Sequence, residues 1–155
     1  MKPLDPDRDR WFLGTLMHFH VRGADSGGRM SVTEQVARRG FSPPVHVHAR
    51  EEGMMYVLEG ELSVVVGDER RTVRAGEAIF LPRDVPHSFF VESERVRLLE
   101  VSTPGGADEF YRSCGTPAGA ADLPPPAPPS PETLALVDVN ARSHGTTLLG
   151  PPLAR

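Results

Sequence analysis

Three histidines are spaced as metal ligands are. His46 and His48 sit two apart in PVHVH, and His87 opens HSFF. Side chains two apart on a strand share a face, so both imidazoles of the pair point the same way. With His87 converging on them, they form a facial nitrogen site for a divalent transition metal, with iron, nickel, manganese, copper and zinc as the candidates. Such a centre binds substrate oxygens and stabilises enolate-like charge. A second His-x-His, His18 and His20, lies in MHFHVR. Met17, Phe19 and Val21 alternate with it and read as the core face. That turns His18 and His20 toward solvent or a partner; the functional alternative brings one of them to the pocket as an acid or base near neutral pH.

These side chains need a rigid frame, and the chain reads as strands. Eight runs rich in Val, Phe, Leu and Tyr fall between Trp11 and Thr103, at 16–21, 30–37, 54–60, 61–67, 70–75, 78–82, 87–92 and 96–102. Gly, Pro and Asp separate them and no helical period is sustained. His46 and His48 read as standing on a further strand. This pattern predicts an all-β antiparallel barrel or jelly roll. Residues 1–10 read as an arm or an early turn. After Ser102 the composition changes. A short helix is expected around Asp108–Ser113, ending at Gly115. PAGAADLPPPAPPSP reads as an extended, semi-rigid linker. A second helix comes next, with Ser130 as N-cap, Pro131 in the first position and Gly145 as its stop. Leu134, Val137 and Ala141 share one of its faces. TTLLGPPLAR reads as a strand and an end segment. The expected division is a barrel with its arm at 1–115, a linker at 116–130, and a helix with tail at 131–155.

Composition narrows the partners. The chain has 155 residues, 17 Lys and Arg against 21 Asp and Glu, and a net charge of −4, which argues against nucleic acid. No apolar window approaches a membrane span. The charged N-terminus is unlike a signal peptide, and one cysteine, Cys114, excludes an internal disulfide; both point to the cytoplasm. The expected partners are a small-molecule substrate and a second copy of the chain, because an open sheet edge needs covering.

Over about residues 30–103 the chain resembles the cupin superfamily. Gly40, His46, His48 and Gly60 stand in the places of the first cupin motif. Gly76, Pro82 and His87 stand in those of the second, with Asp84 for its glycine and Val91 for its asparagine. Outside the motifs, FLGTL, GGRMSVTEQVARRGFSPPVHVH, VSTPGGADEFYRSCGTPA and SPETLALVDVNARSHGTTLLGPP are similar to the small quercetin-dioxygenase-like monocupins. The resemblance implies a cupin-type double-stranded β-helix with short C-terminal helical additions, often dimeric and often metal-binding. It implies His46, His48 and His87 as ligands and catalytic residues. The family's fourth ligand, a glutamate, falls at Gly53. Glu52 meets the spacing from the histidines but takes the opposite strand parity, so it ligates only through a local bulge.

Met55, Val57, Phe89 and Val91 share parity with position 53 or His87 and point into the barrel. They are either core or the apolar wall of a substrate pocket. Glu34 and Gln35 are adjacent, so only one points inward. Tyr56, Tyr111 and Cys114 carry no signal beyond packing. The functional expectation is a metal-dependent, dioxygenase-like enzyme of secondary metabolism, acting on a small aromatic, enolisable or polyketide-like molecule. Two alternatives stay open. One is a redox-neutral isomerase, cyclase or lyase. The other is a binding protein without metal, consistent with the missing glutamate.

Overall fold

The computed structural model describes residues 3–155, and its elements track the hydrophobic runs closely. The strands are β1 (Asp9–Phe12), β2 (Thr15–Val21), β3 (Ser31–Arg38), β4 (Pro44–His48), β5 (Glu52–Glu59), β6 (Glu61–Val66), β7 (Glu69–Arg74), β8 (Ala78–Leu81), β9 (His87–Val91), β10 (Arg95–Thr103), β11 (Thr116–Pro117) and β12 (Thr146–Pro152). The helices are α1 (Ala107–Cys114) and α2 (Pro131–Ser143). One sheet runs β11-β1-β2-β3-β10-β5-β8 and the other β12-β4-β9-β6-β7, and every described pairing is antiparallel. This is the double-stranded β-helix.

Alternation builds the core. Met55 and Val57 of β5, Leu62 and Val64 of β6, Phe89 and Val91 of β9, and Val96 and Leu98 of β10 meet between the sheets. At two residues per repeat each strand gives one apolar face to that layer. Gly60 joins β5 to β6 with φ 89°, and a Cβ there would lie 2.4 Å from the Arg95 carbonyl, so only glycine suits the turn.

A second apolar cluster lies beneath the helices. Phe12, Met17, Phe19 and Val137 are buried there, with Phe110 and Tyr111 packed against them. The second helix has the expected ends. Ser130 Oγ accepts from the Thr133 amide at 3.1 Å, Pro131 opens the helix, and Gly145 lies just beyond its end with φ 77°. Its inward face differs from the expected one. Val137 and Ala141 are buried, but Leu134 is 49% exposed because α2 touches the barrel mainly through its C-terminal half. The proline-rich segment is tied to the surface of the barrel: Trp11 Nε1 donates to the Asp122 carbonyl at 2.8 Å, and Arg38 Nη1 to that of Pro124 at 2.9 Å. The strand expected near the C-terminus is β12, and it pairs with β4, the strand of His46 and His48.

Candidate metal centre and cavity

β4 is a short strand between β9 and β12. Its register sets His46 opposite His87 on one side and Leu148 on the other, while His48 lies opposite Thr146. One ring nitrogen from each of His46, His48 and His87 lies within 4.8 Å of the others. The ring centroids are 4.5 Å apart for His46 and His87, 5.0 Å for His46 and His48, and 5.1 Å for His48 and His87.

The other ring nitrogens explain the orientation. His46 Nδ1–H donates to the Pro44 carbonyl at 2.7 Å, and His87 Nδ1–H to the Val85 carbonyl at 3.0 Å. Carbonyls only accept, so both Nδ1 atoms carry the proton. His48 Nδ1 lies 2.9 Å from Glu51 Oε1 and 3.0 Å from Thr146 Oγ1. Each ring therefore keeps the lone pair of Nε2 for the space between them. Outer partners of this kind hold histidine ligands in metal sites. Burial, with the neighbouring His87 and His48 adding to it, lowers the His46 pKa to about 3. Burial lowers His87 to about 4, against its bond to Val85. Both rings are neutral at physiological pH, the state a metal needs. Three imidazole donors on one wall fit a borderline divalent ion such as zinc, iron or nickel.

The carboxylates stand elsewhere than the ligand spacing suggested. Glu52 is exposed and, among the described residues, the cluster consists of the three histidines. β5 runs through residues 52–53 as strand, so Glu52 keeps the parity opposite to position 53. Gly53 is in close contact with β10. A Cβ there would sit 2.3 Å from the Val101 carbonyl oxygen. That backbone closes the slot where a fourth ligand would project. Glu51, three residues after His48, is spent on that histidine.

The histidines open into a cavity. Met55 and Phe89 line it. Val57 and Val91 do not: both are wholly buried in the core between the sheets, farther along the same strand faces. His18 and His20 are also absent from its lining. His18 Nδ1 meets Asp9 Oδ1 at 2.6 Å, and His20 Nε2 meets Glu34 Oε2 at 2.8 Å. Met17 and Phe19 take the inward parity of β2 and turn both histidines to the other side. Glu34, which also pairs with Arg97, faces outward, and Gln35 faces the cavity.

Several cavity residues carry no mark in the motifs. Glu100 of β10 and Tyr111 of α1 line the wall, and Tyr111 Oη donates to Glu100 Oε2 at 2.9 Å. Val137 and Ala141 of α2, His144 just beyond it and Thr146 of β12 close the cavity. A signal for Glu100 exists. Val96, Leu98, Glu100 and Ser102 share one parity in VRLLEVS, so an acidic residue stands on an otherwise core-facing row. Nothing in the sequence marks Tyr111, because only the packing of α1 brings it there.

Comparison with known proteins agrees with this frame. The family described as "Cupin domain" matches residues 32–102. The quercetin 2,3-dioxygenase of Bacillus subtilis is 29% identical over 105 residues, covering 68% of this chain and 31% of that protein. The chain thus spans about a third of that relative's length. An uncharacterized protein of Streptomyces coelicolor is 32% identical over 75 residues, which is 48% of this chain and 70% of that one. Among solved structures, the polyketide cyclase RemF from Streptomyces resistomycificus superposes with a TM-score of 0.55 at 30% identity, covering 66% of this chain and 79% of that one. KdgF from Halomonas, at 18% identity and TM-score 0.56, is similar in fold over 70% of this chain and 88% of its own.

Proposed function

The chain belongs to the cupin superfamily, and from that premise we propose that it is a metal-dependent enzyme acting on a small oxygenated molecule with an aromatic or enolisable core. One observation carries this reading: all three histidines spend Nδ1 on outer partners, and one ring nitrogen of each lies within 4.8 Å of the others. A divalent metal held there supplies a Lewis acid for substrate oxygens and, where it is redox-active, a site for O2 chemistry. The protein supplies the rest. His46, His48 and His87 hold the ion, and Glu51 fixes the ring of His48. Met55, Phe89, Val137 and Ala141 give an apolar enclosure that excludes water and suits a flat, hydrophobic ligand.

The leading reaction class is dioxygenation, supported by the quercetin dioxygenase relative. A redox-neutral cyclisation or isomerisation is the second reading, supported by the likeness to RemF. The imidazoles serve either chemistry. Mass-spectrometric metal analysis of the purified protein, beside a His46→Ala/His48→Ala control, tests the centre. Near-stoichiometric metal that disappears in the control is expected. No metal after reconstitution with iron, nickel, manganese and zinc overturns the reading and leaves a metal-free binding protein. Oxygen uptake with quercetin as the probe then separates the two reaction classes. The proposed assembly is a homodimer, checked by light scattering.

A further inference from the structure

The cavity contains a carboxyl group that neither the metal centre nor the core uses. Glu100 projects from β10, where the register sets it opposite Met55 of β5; Ser102 lies opposite Gly53. Paired residues of antiparallel strands share a face. Glu100 is therefore one pleat away from the closed slot at position 53, on the same inward face. Tyr111 Oη holds Oε2 at 2.9 Å. Oε1 has only the distant Ser102 hydroxyl, at 3.5 Å. Among the described residues, Glu100 makes no hydrogen bond or ion pair with the three histidines.

We propose that Glu100 is the proton-transfer residue of this site, held by Tyr111 and facing the ligand across the cavity from the histidines. This rests on the proposed function, with its oxygenated, acidic or enolisable substrate. The step is balanced and needs no co-reactant. Glu100 Oε1 takes a proton from an O–H or an acidic C–H of the bound molecule. The electron pair of that bond stays on the substrate as an alkoxide, phenolate or enolate, which the histidine-held centre faces. The carboxylic acid so formed returns its proton to a later anionic centre. Burial pushes the Glu100 carboxyl above its ordinary range, against the bonds from Tyr111 and Ser102 and the field of His48, and the charge of Glu51 adds to the rise. A carboxylate of raised basicity is the better proton acceptor. Burial and the adjoining Glu100 also keep the Tyr111 phenol protonated, so it stays a donor. The remaining polar side chains around the cavity are Gln35 of β3, Glu51 and Glu52 at the start of β5, His144 beyond α2 and Thr146 of β12; Glu51 is bonded to His48 and Glu52 is exposed to solvent.

The test uses the zinc-loaded 155-residue chain and 4-nitrocatechol, whose visible band reports its ionisation. Zinc is redox-silent, so binding is read without turnover. Calorimetry in buffers of different ionisation heat counts the protons released. Wild type is expected to bind the ionised probe and keep its proton on Glu100. Glu100→Gln can still accept from Tyr111 but cannot take a proton. It should hold zinc as wild type does, release about one more proton per site to the buffer, and bind the probe about tenfold more weakly, or ~1.4 kcal/mol. Equal proton release and equal affinity in the two proteins overturn the proposal and leave the metal centre standing. Zinc-loaded wild type that ignores the probe overturns the substrate class and the proposal with it. If Glu100→Gln fails to fold, Tyr111→Phe decides. It keeps the carboxyl but removes the group that holds it, so more proton should reach the buffer than in wild type; proton release and affinity equal to wild type overturn the proposal.

Discussion

At the residue scale, the centre depends on which nitrogen of each imidazole is already occupied. His46 and His87 donate to carbonyls of their own loop or strand, which the local chain supplies wherever they fold. His48 depends on two side chains, Glu51 and Thr146. Glu51→Gln should therefore weaken metal binding about 10- to 100-fold while the fold persists, as loss of an outer partner does; competition with a chromophoric chelator measures it. The depressed pKa values carry a second expectation. In the unfolded chain His46 and His87 titrate near the ordinary 6.5, but in the folded protein near 3 and 4. Between these values the unfolded state binds more protons, so stability rises with pH. The metal-free protein should hold this contribution fully above about pH 6.5 and lose it as the pH falls toward about 4. Tm measured across that range should show the slope, and His87→Gln should flatten it.

At the scale of elements, the contact of β5 with β10 decides what the site lacks. Gly53 is not an empty position awaiting a glutamate. Any Cβ meets the Val101 carbonyl at 2.3 Å, and neither strand is free to yield, since β10 is paired on both sides. Gly53→Ala should cost about 1–3 kcal/mol, as overpacking does, read from urea unfolding. Gly53→Glu should destabilise the protein without tightening metal binding. Metal affinity that rises in Gly53→Glu would show that the strands do separate there. The same two strands carry Glu100 inward, so a carboxyl enters the cavity from β10 opposite Met55.

At the scale of the whole molecule, the C-terminal segment belongs to the site. β12 pairs with β4, Thr146 reaches His48, and Val137 and Ala141 form part of the cavity wall. The proline-rich stretch between α1 and α2 is held down by Trp11, Arg38 and Arg95. Removal of residues 146–155 exposes an edge of β4 and takes away one partner of His48. The expected result is lower Tm and weaker zinc binding than in the full chain, by thermal scans and chelator competition. Unchanged zinc affinity would show that Glu51 alone orients the ring.

Much of this was legible in the sequence, for local reasons. Period-two alternation and Gly, Pro and Asp punctuation are short-range signals, so all eight strand runs and both helices lie where the residues place them. His46, His48 and His87 could be grouped because two share a strand face and the third stands at a matching motif position. Contacts that arise from packing between distant segments were not legible. The sequence shows parity along a strand but not how far along it the cavity ends, so Val57 and Val91 proved to be core while Met55 and Phe89 reach the cavity. It shows a glycine at 53 but not the carbonyl of Val101 pressed against it. It shows a tyrosine in a short helix and a glutamate in a strand, 11 residues apart. Only the docking of α1 over the sheet joins them inside the cavity, because a hydrogen bond between side chains needs positions that local propensity does not specify.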